Sequence, residues 1–459
     1  MSRVYLTIDN WQFSISDFRF FDLKTFNYKL LTINCSHMLS LLRKLIPERS
    51  PLRLAYHKAM AVFFAYWYRF PGKKMKIVAI TGTSGKSTTA ELMWFGLQKS
   101  GKKCGMLSGI QFHFGDETLP NHTLRTTLSS RRTQKYLRHM VREGCEIAVL
   151  EVSSHAIDQH RLWGVPVDIA VLTNVANNEH LDYHKTFAEY VQTKAKMFLS
   201  AQKVVLNQDD EQKEVFEKMA GGAKHTYGIK KKSDIQATKP KFTPDKISFD
   251  LKMKEEKIHI NVPLVGRHNL ENLLAAISVL HLEKVRLSTI QKTFENFKSI
   301  PGRLEIIQEG QPFSVIVDHT YKPPALRAVL QTLKKMIPGR LIVVWGGTGS
   351  RLPSFWEEAG QILDELADEI ILTTDDPYKD DPKKIARIVR QQIHRKEGDR
   401  FFEIEDRYEA IRYALLTAEK KDTVLIAGRG HEATQTIGKK VIPFDDRAVA
   451  REILQTMKN

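Results

Sequence analysis

The sequence predicts an α/β protein: a central phosphate-loop domain, a second, Rossmann-like α/β domain after it, and a short helical segment in front. Three observations carry the prediction. A β-branched run at 76–80 leads into Gly82-Thr83-Ser84-Gly85-Lys86-Ser87-Thr88 and then a helical pattern at 88–99. Two further apolar runs, 147–152 and 168–172, read as buried strands ending in Glu, Ser, His, Thr and Asn. Beyond residue 303, apolar runs at 314–318, 340–345, 369–373 and 423–427 alternate with helical stretches, the signature of a doubly wound sheet. The expected boundaries are 1–74, 75–302 and 303–459.

The chain has 459 residues, of which 42% are hydrophobic and 27% charged, the balance of a globular protein. Its 70 basic and 53 acidic residues leave +17. Residues 1–76 hold 13 Lys/Arg and 4 Asp/Glu, so +9 of the excess sits at the front. No nucleic-acid-binding module accompanies this charge, so nucleic acid is not an expected partner. Cys35, Cys104 and Cys145 form neither a disulfide framework nor a zinc pattern. With no secretory signal in view, a cytoplasmic protein is expected.

Residues 1–37 lack periodicity, and Met38 is an expected natural start. The apolar stretch 52–70 carries Arg53, His57, Lys58 and Arg69. Its longest uncharged run, 59–68, is far shorter than the ~20 residues that span a bilayer. Two readings stay open: a helix packed on the next domain, or an interfacial helix resting on anionic lipid at the inner membrane surface.

The glycine-rich turn has a physical purpose. Glycines let the backbone curl so that its N–H groups face an anion, and the helix N-terminus that follows adds partial positive charge. Lys86 can reach the outer phosphates of ATP, and the Ser87 hydroxyl can ligate Mg²⁺. Position 80, where the common phosphate loop has glycine, is Ile80, so the match is to the shorter Gly-Thr-x-Gly-Lys-Ser/Thr form.

Strand ends in such sheets face the ligand crevice. Glu151 closes one strand and is followed by Ser153, Ser154 and His155; Thr173 and Asn174 close the next. After them come Asn178-Glu179-His180-Leu181-Asp182-Tyr183-His184 and a helical stretch with Tyr190, Lys194 and Phe198. Oxygen and imidazole ligands beside a phosphate loop suit Mg²⁺ bridging nucleotide and substrate.

In this order GTSGKST, EVSSHAIDQHR, LTNVANNEHLDYH and YVQTKAKMF resemble the Mur ligases, nearest the UDP-N-acetylmuramoyl-tripeptide synthetase branch. LVGRHNLENLLAA, PGRLEII, TTDDPYKDDP, DRYEAI, AGRGHEATQTIG and FDDRAVA continue the resemblance from about 75 to the end. It implies an ATP-dependent amide ligase of peptidoglycan assembly, acting as a monomer, in which ATP phosphorylates a substrate carboxylate and an amine displaces the phosphate. Lys86 and Ser87 would serve the phosphates and one Mg²⁺; Glu151 and His180 would hold a second. Lys194 matches the lysine that takes up CO₂ as a carbamate, which would act at the metal. Thr126, Thr127, Ser153, Ser154, Gln159 and Arg161 match positions holding the nucleotide-sugar peptide, with Arg161 as carboxylate clamp. Asn269 and Asn272 match the adenine segment, and Arg303 and Asp318 residues near phosphates and ribose. The last domain would close over ATP about a hinge near Pro301-Gly302 and deliver the incoming amino acid. There Gly428 belongs to the segment that binds it and Glu432 would hold its ammonium; Asp375 and Asp376 lie in the selectivity loop, and Arg351, at the end of the glycine-rich turn 346–351, is a further substrate contact. That acidic loop favours a basic side chain.

The chain also departs from the family pattern. Only 74 residues stand where a uridine-gripping domain is usual, so a substrate without UDP, or one linked to a membrane, stays open. The Thr-Thr-Pro pattern reads Thr126-Thr127-Leu128, and Tyr378 replaces an Arg typical of diaminopimelate specificity. Alternatives are a same-fold ligase acting in folate or polymer glutamylation, and a non-catalytic, membrane-associated ATP-binding scaffold.

Overall fold

The computed structural model describes residues 5–7, 12–14 and 47–457, except 122, 124 and 177–182. Cys35, the Met38 start and His180 therefore lie outside the described residues. Strands β1 (Tyr5–Thr7) and β2 (Gln12–Ser14) pair as a small antiparallel hairpin. Helix α1 (Pro51–Trp67) starts where Ser50 accepts a hydrogen bond from Arg53 N–H and Pro51 supplies a helix-ready φ. Ala61, Phe64 and Ala65 are its buried residues, and the helix lies against the helix Ser130–Arg142. No helix among the described residues is long and apolar enough to cross a membrane.

The larger sheet has eleven strands among the described residues. In chain order they are β3 (Lys76–Thr81), β4 (Cys104–Leu107), β5 (Gln111–Phe114), β6 (Glu117–Pro120), β7 (Ile147–Glu151), β8 (Ile169–Leu172), β9 (Lys203–Asn207), β10 (Ala223–Gly228), β11 (Ile235–Phe242), β12 (Ile247–Met253) and β13 (Glu256–Val262). Their spatial order is β13-β12-β11-β10-β9-β8-β3-β7-β4-β5-β6. The seven strands from β11 to β4 run parallel, and each end is finished by antiparallel strands. Parallel strands need helical crossovers, so both faces are covered and the central strands are buried and apolar between polar ends, as β3 (Lys76, Thr81) and β7 (Glu151) show. Helices α2 (Lys86–Lys99), α3 (Ser130–Arg142), α4 (Ser154–Asp158), α5 (Phe187–Ala195), α6 (Lys213–Met219), α7 (Arg267–Leu282) and α8 (Leu287–Glu295) accompany them. One core holds Leu92, Leu97, Leu273 and Ile277 of α2 and α7; the other holds Leu137, Met140, Val191 and Phe216 of α3, α5 and α6.

The second sheet has β14 (Glu305–Ile307), β15 (Ser314–Asp318), β16 (Leu341–Gly347), β17 (Glu369–Thr374), β18 (Phe401–Glu403) and β19 (Thr423–Ala427), ordered β14-β15-β19-β16-β17-β18. All but β14 are parallel. Helices α9 (Pro323–Lys334), α10 (Pro353–Leu366), α11 (Pro382–Arg390), α12 (Arg407–Thr417) and α13 (Asp446–Thr456) cover it. Asp381, Asp406 and Asp445 cap three of them, each accepting a backbone N–H of the first turn. Val265, from the first domain, is buried in the second domain's core. Gly302, at φ +59°, approaches so closely that a Cβ there would stand 2.0 Å from His431 N. The predicted hinge is thus packed against the loop it would move.

Arg407 and Asp446 form a fully buried pair: Nε donates to Oδ1 at 2.8 Å and Nη2 to Oδ2 at 2.7 Å. Asp446→Asn leaves a buried guanidinium without its counter-ion and is expected to cost about 3 kcal/mol. Urea denaturation followed by circular dichroism measures it.

Candidate active site

Strand β3 delivers the glycine-rich turn to the carboxyl end of the sheet, between β7 and β8. Gly85 caps α2 at φ +77°, and a Cβ there would stand 2.2 Å from Asn272 Oδ1, so both conformation and space require glycine. The neighbouring strand end ties the turn down. Thr83 N–H donates to Asn174 O (2.8 Å), Ser84 N–H to Asn174 Oδ1 (3.1 Å), and the Thr173 hydroxyl to Ser84 O (2.8 Å). Lys86 Nζ donates to Gly82 O and Thr83 O, each at 2.9 Å, which keeps the ammonium over the turn. Helix α2 starts at Lys86, two residues before the predicted start, with Thr88 buried in its first turn.

Ser87 and Glu151 meet. The Ser87 hydroxyl donates to Glu151 Oε2 at 2.8 Å, and Gly109 N–H donates to the same oxygen at 2.7 Å. A hydroxyl and a carboxylate beside a phosphate-binding turn are hard oxygen donors of the kind Mg²⁺ takes, with phosphate oxygens and water completing its shell. Among the described residues no cluster of three His, Cys, Asp or Glu could hold a metal by itself. The fit is therefore to an ion shared with substrate.

Lys194 projects from α5 and is 1% exposed. Its Nζ donates to Gly82 O at 2.7 Å and lies 4.6 Å from the Tyr190 ring centre. The Tyr190 hydroxyl lies 3.1 Å from Thr83 Oγ1. The helix predicted to carry Tyr190 and Lys194 is thus docked on the phosphate-binding turn. It ends at Ala195; Phe198 falls in the 3₁₀ turn Lys196–Phe198.

The predicted substrate residues form one network. Thr127 Oγ1 donates to Glu151 O at 3.1 Å and accepts from Ser153 N–H at 2.9 Å. Arg161 donates from Nη1 to Thr127 O (2.9 Å) and from Nε and Nη2 to Gln159 Oε1 (3.0 and 2.7 Å). All these acceptors are neutral, and burial together with Arg125 pushes the guanidinium down to about 10. A half-buried cation held by neutral groups is prepared for an anion. Ser154 Oγ is buried without a partner, and Thr126 is exposed.

Asn269 and Asn272 are buried. Asn272 Oδ1 accepts from the Thr89 hydroxyl (3.3 Å), its Nδ2 donates to Asn269 Oδ1 (3.3 Å), and Asn269 Nδ2 donates to Val265 O (2.8 Å). The sequence reads them as adenine contacts; here they brace the phosphate-binding turn against α7. Asp318 accepts from Leu304 N–H at 2.7 Å; burial pushes it up to about 6, while the neighbouring Arg303 opposes that rise.

In the second domain the acidic selectivity loop carries a partner of its own. The fully buried Arg429 pairs with Asp375 (3.3 Å) and Asp376 (3.0 Å), so one guanidinium answers part of the charge of two carboxylates. The acidity of the loop is a weaker argument for a basic substrate side chain than the sequence alone gives. Gly428 allows the approach: at φ +122°, a Cβ there would stand 2.3 Å from Asp375 Oδ2. Arg351 is exposed and lies over the Tyr321 and Phe355 rings, 5.6 Å from each centre. Burial, then Asp376 and Asp375, push the Glu432 carboxyl up to about 8. With Glu432 as the expected ammonium partner, only the ionised carboxylate binds, so affinity for the amine should rise with pH until that carboxyl is deprotonated, about fivefold from pH 7 to pH 8. Calorimetric titration with the amino-acid substrate checks this, and Glu432→Gln should flatten the rise.

Sequence reasoning missed Gly109, which bonds Glu151, and Asp158 and Tyr183, whose contacts come from folding. Arg429 lies in the singled-out AGRGHE stretch, but nothing local marks it as the partner of Asp375.

Two α/β domains, the first carrying a phosphate-binding turn with hard oxygen donors beside it and a guanidinium held only by neutral acceptors, define a nucleotide-dependent enzyme class. Comparison narrows it. Residues 80–280 match the Mur ligase middle domain and 302–430 the Mur ligase, glutamate ligase domain. The chain is 37% identical over 400 residues to a UDP-N-acetylmuramoyl-L-alanyl-D-glutamate--2,6-diaminopimelate ligase of Clostridium botulinum, covering 87% of this chain and 82% of that protein. It is also 37% identical over 403 residues to the ligase of that name from Geobacillus thermodenitrificans, covering 86% and 82%. A solved structure of a ligase with the same name superposes with TM-score 0.65 at 30% identity, covering 84% of this chain and 79% of the other. A Mycobacterium tuberculosis folylpolyglutamate synthase shares the fold, with TM-score 0.62 at 16% identity over 85% and 95%. The chain belongs to the Mur ligase family.

Proposed function

We propose that this protein is an ATP-dependent amide ligase, acting as a monomer, that adds an amino acid to the terminal carboxylate of a peptidoglycan-precursor peptide of the UDP-N-acetylmuramoyl-L-alanyl-D-glutamate type. The observation that carries this reading is the juxtaposition of Lys86, Ser87 and Glu151 with Arg161. One group handles phosphates, and the other waits for an anion. A carboxylate is a poor electrophile. Its oxygen attacks the terminal phosphorus of ATP and ADP leaves; the ammonium gives a proton to solvent, the neutral amine nitrogen attacks the acyl carbon, inorganic phosphate leaves with the electron pair of the acyl C–O bond, and the nitrogen sheds a second proton to give the amide. Lys86 follows the phosphoryl charge, and Arg161 holds the acid in line. Mg²⁺ held by Ser87 and Glu151 would neutralise charge on the phosphates. Lys194, as its carbamate, would place an anion beside that ion. The second domain presents the amine, with Glu432 on the ammonium.

Phosphate release, measured with UDP-N-acetylmuramoyl-L-alanyl-D-glutamate and a panel including lysine and 2,6-diaminopimelate, tests the reading. Turnover dependent on both acid and amine supports it; no dependence on any pair overturns it.

A second reading concerns α1. Its outward side shows Leu52, Tyr56, Phe63, Tyr66 and Trp67, which are 45–69% exposed, beside exposed Lys58, Arg69, Lys73 and Lys74. Aromatics flanked by cations suit an anionic bilayer surface. Co-sedimentation with vesicles should require anionic lipid and fall at least about tenfold in Phe63→Ser/Trp67→Ser. Equal binding to zwitterionic vesicles would overturn it.

A further inference from the structure

The segment in front of the phosphate-loop domain reaches the substrate side of the site, with Arg49 making its polar contacts there. Arg49 immediately precedes the Ser50 cap of α1. Its Nε donates to Asp158 Oδ2 at 3.0 Å, and its Nη1 donates to Glu189 Oε1 at 2.5 Å. The guanidinium also lies 5.3 Å from the Tyr183 ring centre. The side chain is 24% exposed and Asp158 7%, so solvent screens this pair only in part. Arg49 therefore joins α4, which follows the Glu151 strand, to α5, which carries Tyr190 and Lys194.

The contact continues inward. The Tyr183 hydroxyl donates to Asp158 Oδ2 at 3.0 Å, and Gln159 Nε2 donates to the Tyr183 hydroxyl at 3.4 Å. Gln159 Oε1 is the acceptor on which Arg161 rests. An unbroken chain runs from Arg49 through Asp158, Tyr183 and Gln159 to Arg161. At the other end of α1, Tyr66 and Phe70 lie against Trp163, two residues beyond Arg161. The front helix thus brackets the loop that presents Arg161.

We propose that Arg49 is a positioning residue for the acid substrate: it orders the Asp158–Tyr183–Gln159 chain that aims Arg161. The front segment then does more than cover the domain; it sets the geometry of the carboxylate clamp. An Arg suits this task because its planar fork serves two acids on two helices at once, which a Lys point charge cannot do in the same geometry. This inference rests on Arg161 as the acid's partner.

Steady-state kinetics of Arg49→Ala, Arg49→Lys and Asp158→Asn tests it, beside phenylglyoxal labelling of Arg161 followed by peptide mass. In the alanine and asparagine variants KM for the acid substrate should rise about tenfold or more while KM for ATP changes far less, since Asp158, Tyr183 and Gln159 lead to Arg161 and none of them bonds the phosphate-binding turn. Arg49→Lys should recover only part of the loss. Combining Arg49→Ala with Asp158→Asn should add little, because both cut one chain. Labelling of Arg161 should speed up in Arg49→Ala while labelling of Arg340, paired with Asp422 in the other domain, stays the same. An unchanged acid KM, an equal rise in both KM values, or unchanged Arg161 labelling would each overturn the positioning role. The labelling needs no substrate. If wild type turns over no acid–amine pair, the functional reading fails while labelling still decides whether Arg49 controls Arg161.

Discussion

Replacing Lys86 by alanine is expected to lower phosphate release by about 10³-fold, with the protein still folded. The side chain lies along the surface of its own turn, bonded to Gly82 O and Thr83 O. Neither bond supports the core, and both carbonyls belong to a loop anchored independently through Thr173 and Asn174. Stability should therefore change little. The reaction, by contrast, gathers negative charge on transferring oxygens, and a positioned ammonium is worth more there than in the ground state. The loss should fall mainly on kcat, with a smaller rise in KM for ATP. Lys86→Arg should not rescue, because a planar fork cannot take the place of a point charge between curled carbonyls. Phosphate release under saturating acid and amine measures the effect; a loss smaller than about tenfold would remove Lys86 from the reaction.

The parts of this site that were legible in the sequence are those whose chemistry and backbone demands coincide locally. Gly85 must be glycine because the chain turns left-handed there, and Lys86 and Ser87 follow it at the helix start. Glu151 was readable because a buried strand ends in a carboxylate. The DRYEAI stretch was legible as motif, and its local reason is now plain: Asp406 caps α12 by accepting Glu409 N–H. What was illegible depends on distance along the chain. Asp375 and Asp376 look like free acidic charge until Arg429, 54 residues after Asp375, is folded between them. That Asn269 and Asn272 also brace one another and Thr89 becomes visible only when α7 is laid against α2. The strands β11 to β13 at one end of the first sheet were unread, because the many lysines of 235–262 mask an alternation of burial that the folded strands show. Arg49 had no signal at all: a single arginine before Ser-Pro acquires meaning only when α4 and α5 arrive.

Lys194→Ala is expected to lower kcat by about 10²-fold or more while ATP binding, measured by calorimetry, persists. The position is demanding. The side chain is almost wholly buried, its Nζ touches the carbonyl of Gly82, and the Tyr190 ring lies beneath it. As a plain lysine it would bring another cation to a turn that already holds Lys86. As a carbamate it would bring an anion to the turn beside which Ser87 and Glu151 would share a divalent ion with the phosphates. Formation balances without a further reagent: the neutral amine nitrogen bonds to the carbon of CO₂, one N–H proton leaves to solvent, and the product is a carboxylate on nitrogen. Burial then shields it from loss of CO₂. Two measurements separate this from a structural lysine. Depleting bicarbonate should slow the wild-type enzyme and adding it back should restore the rate, whereas Lys194→Arg, which keeps charge and bulk but cannot hold the group, should be slow and indifferent to bicarbonate. Enzyme equilibrated with ¹³C-bicarbonate should show a carbamate carbon that Lys194→Arg lacks. An active Lys194→Arg enzyme, or a wild type without that carbon signal and indifferent to bicarbonate, would return Lys194 to the role of a packed cation.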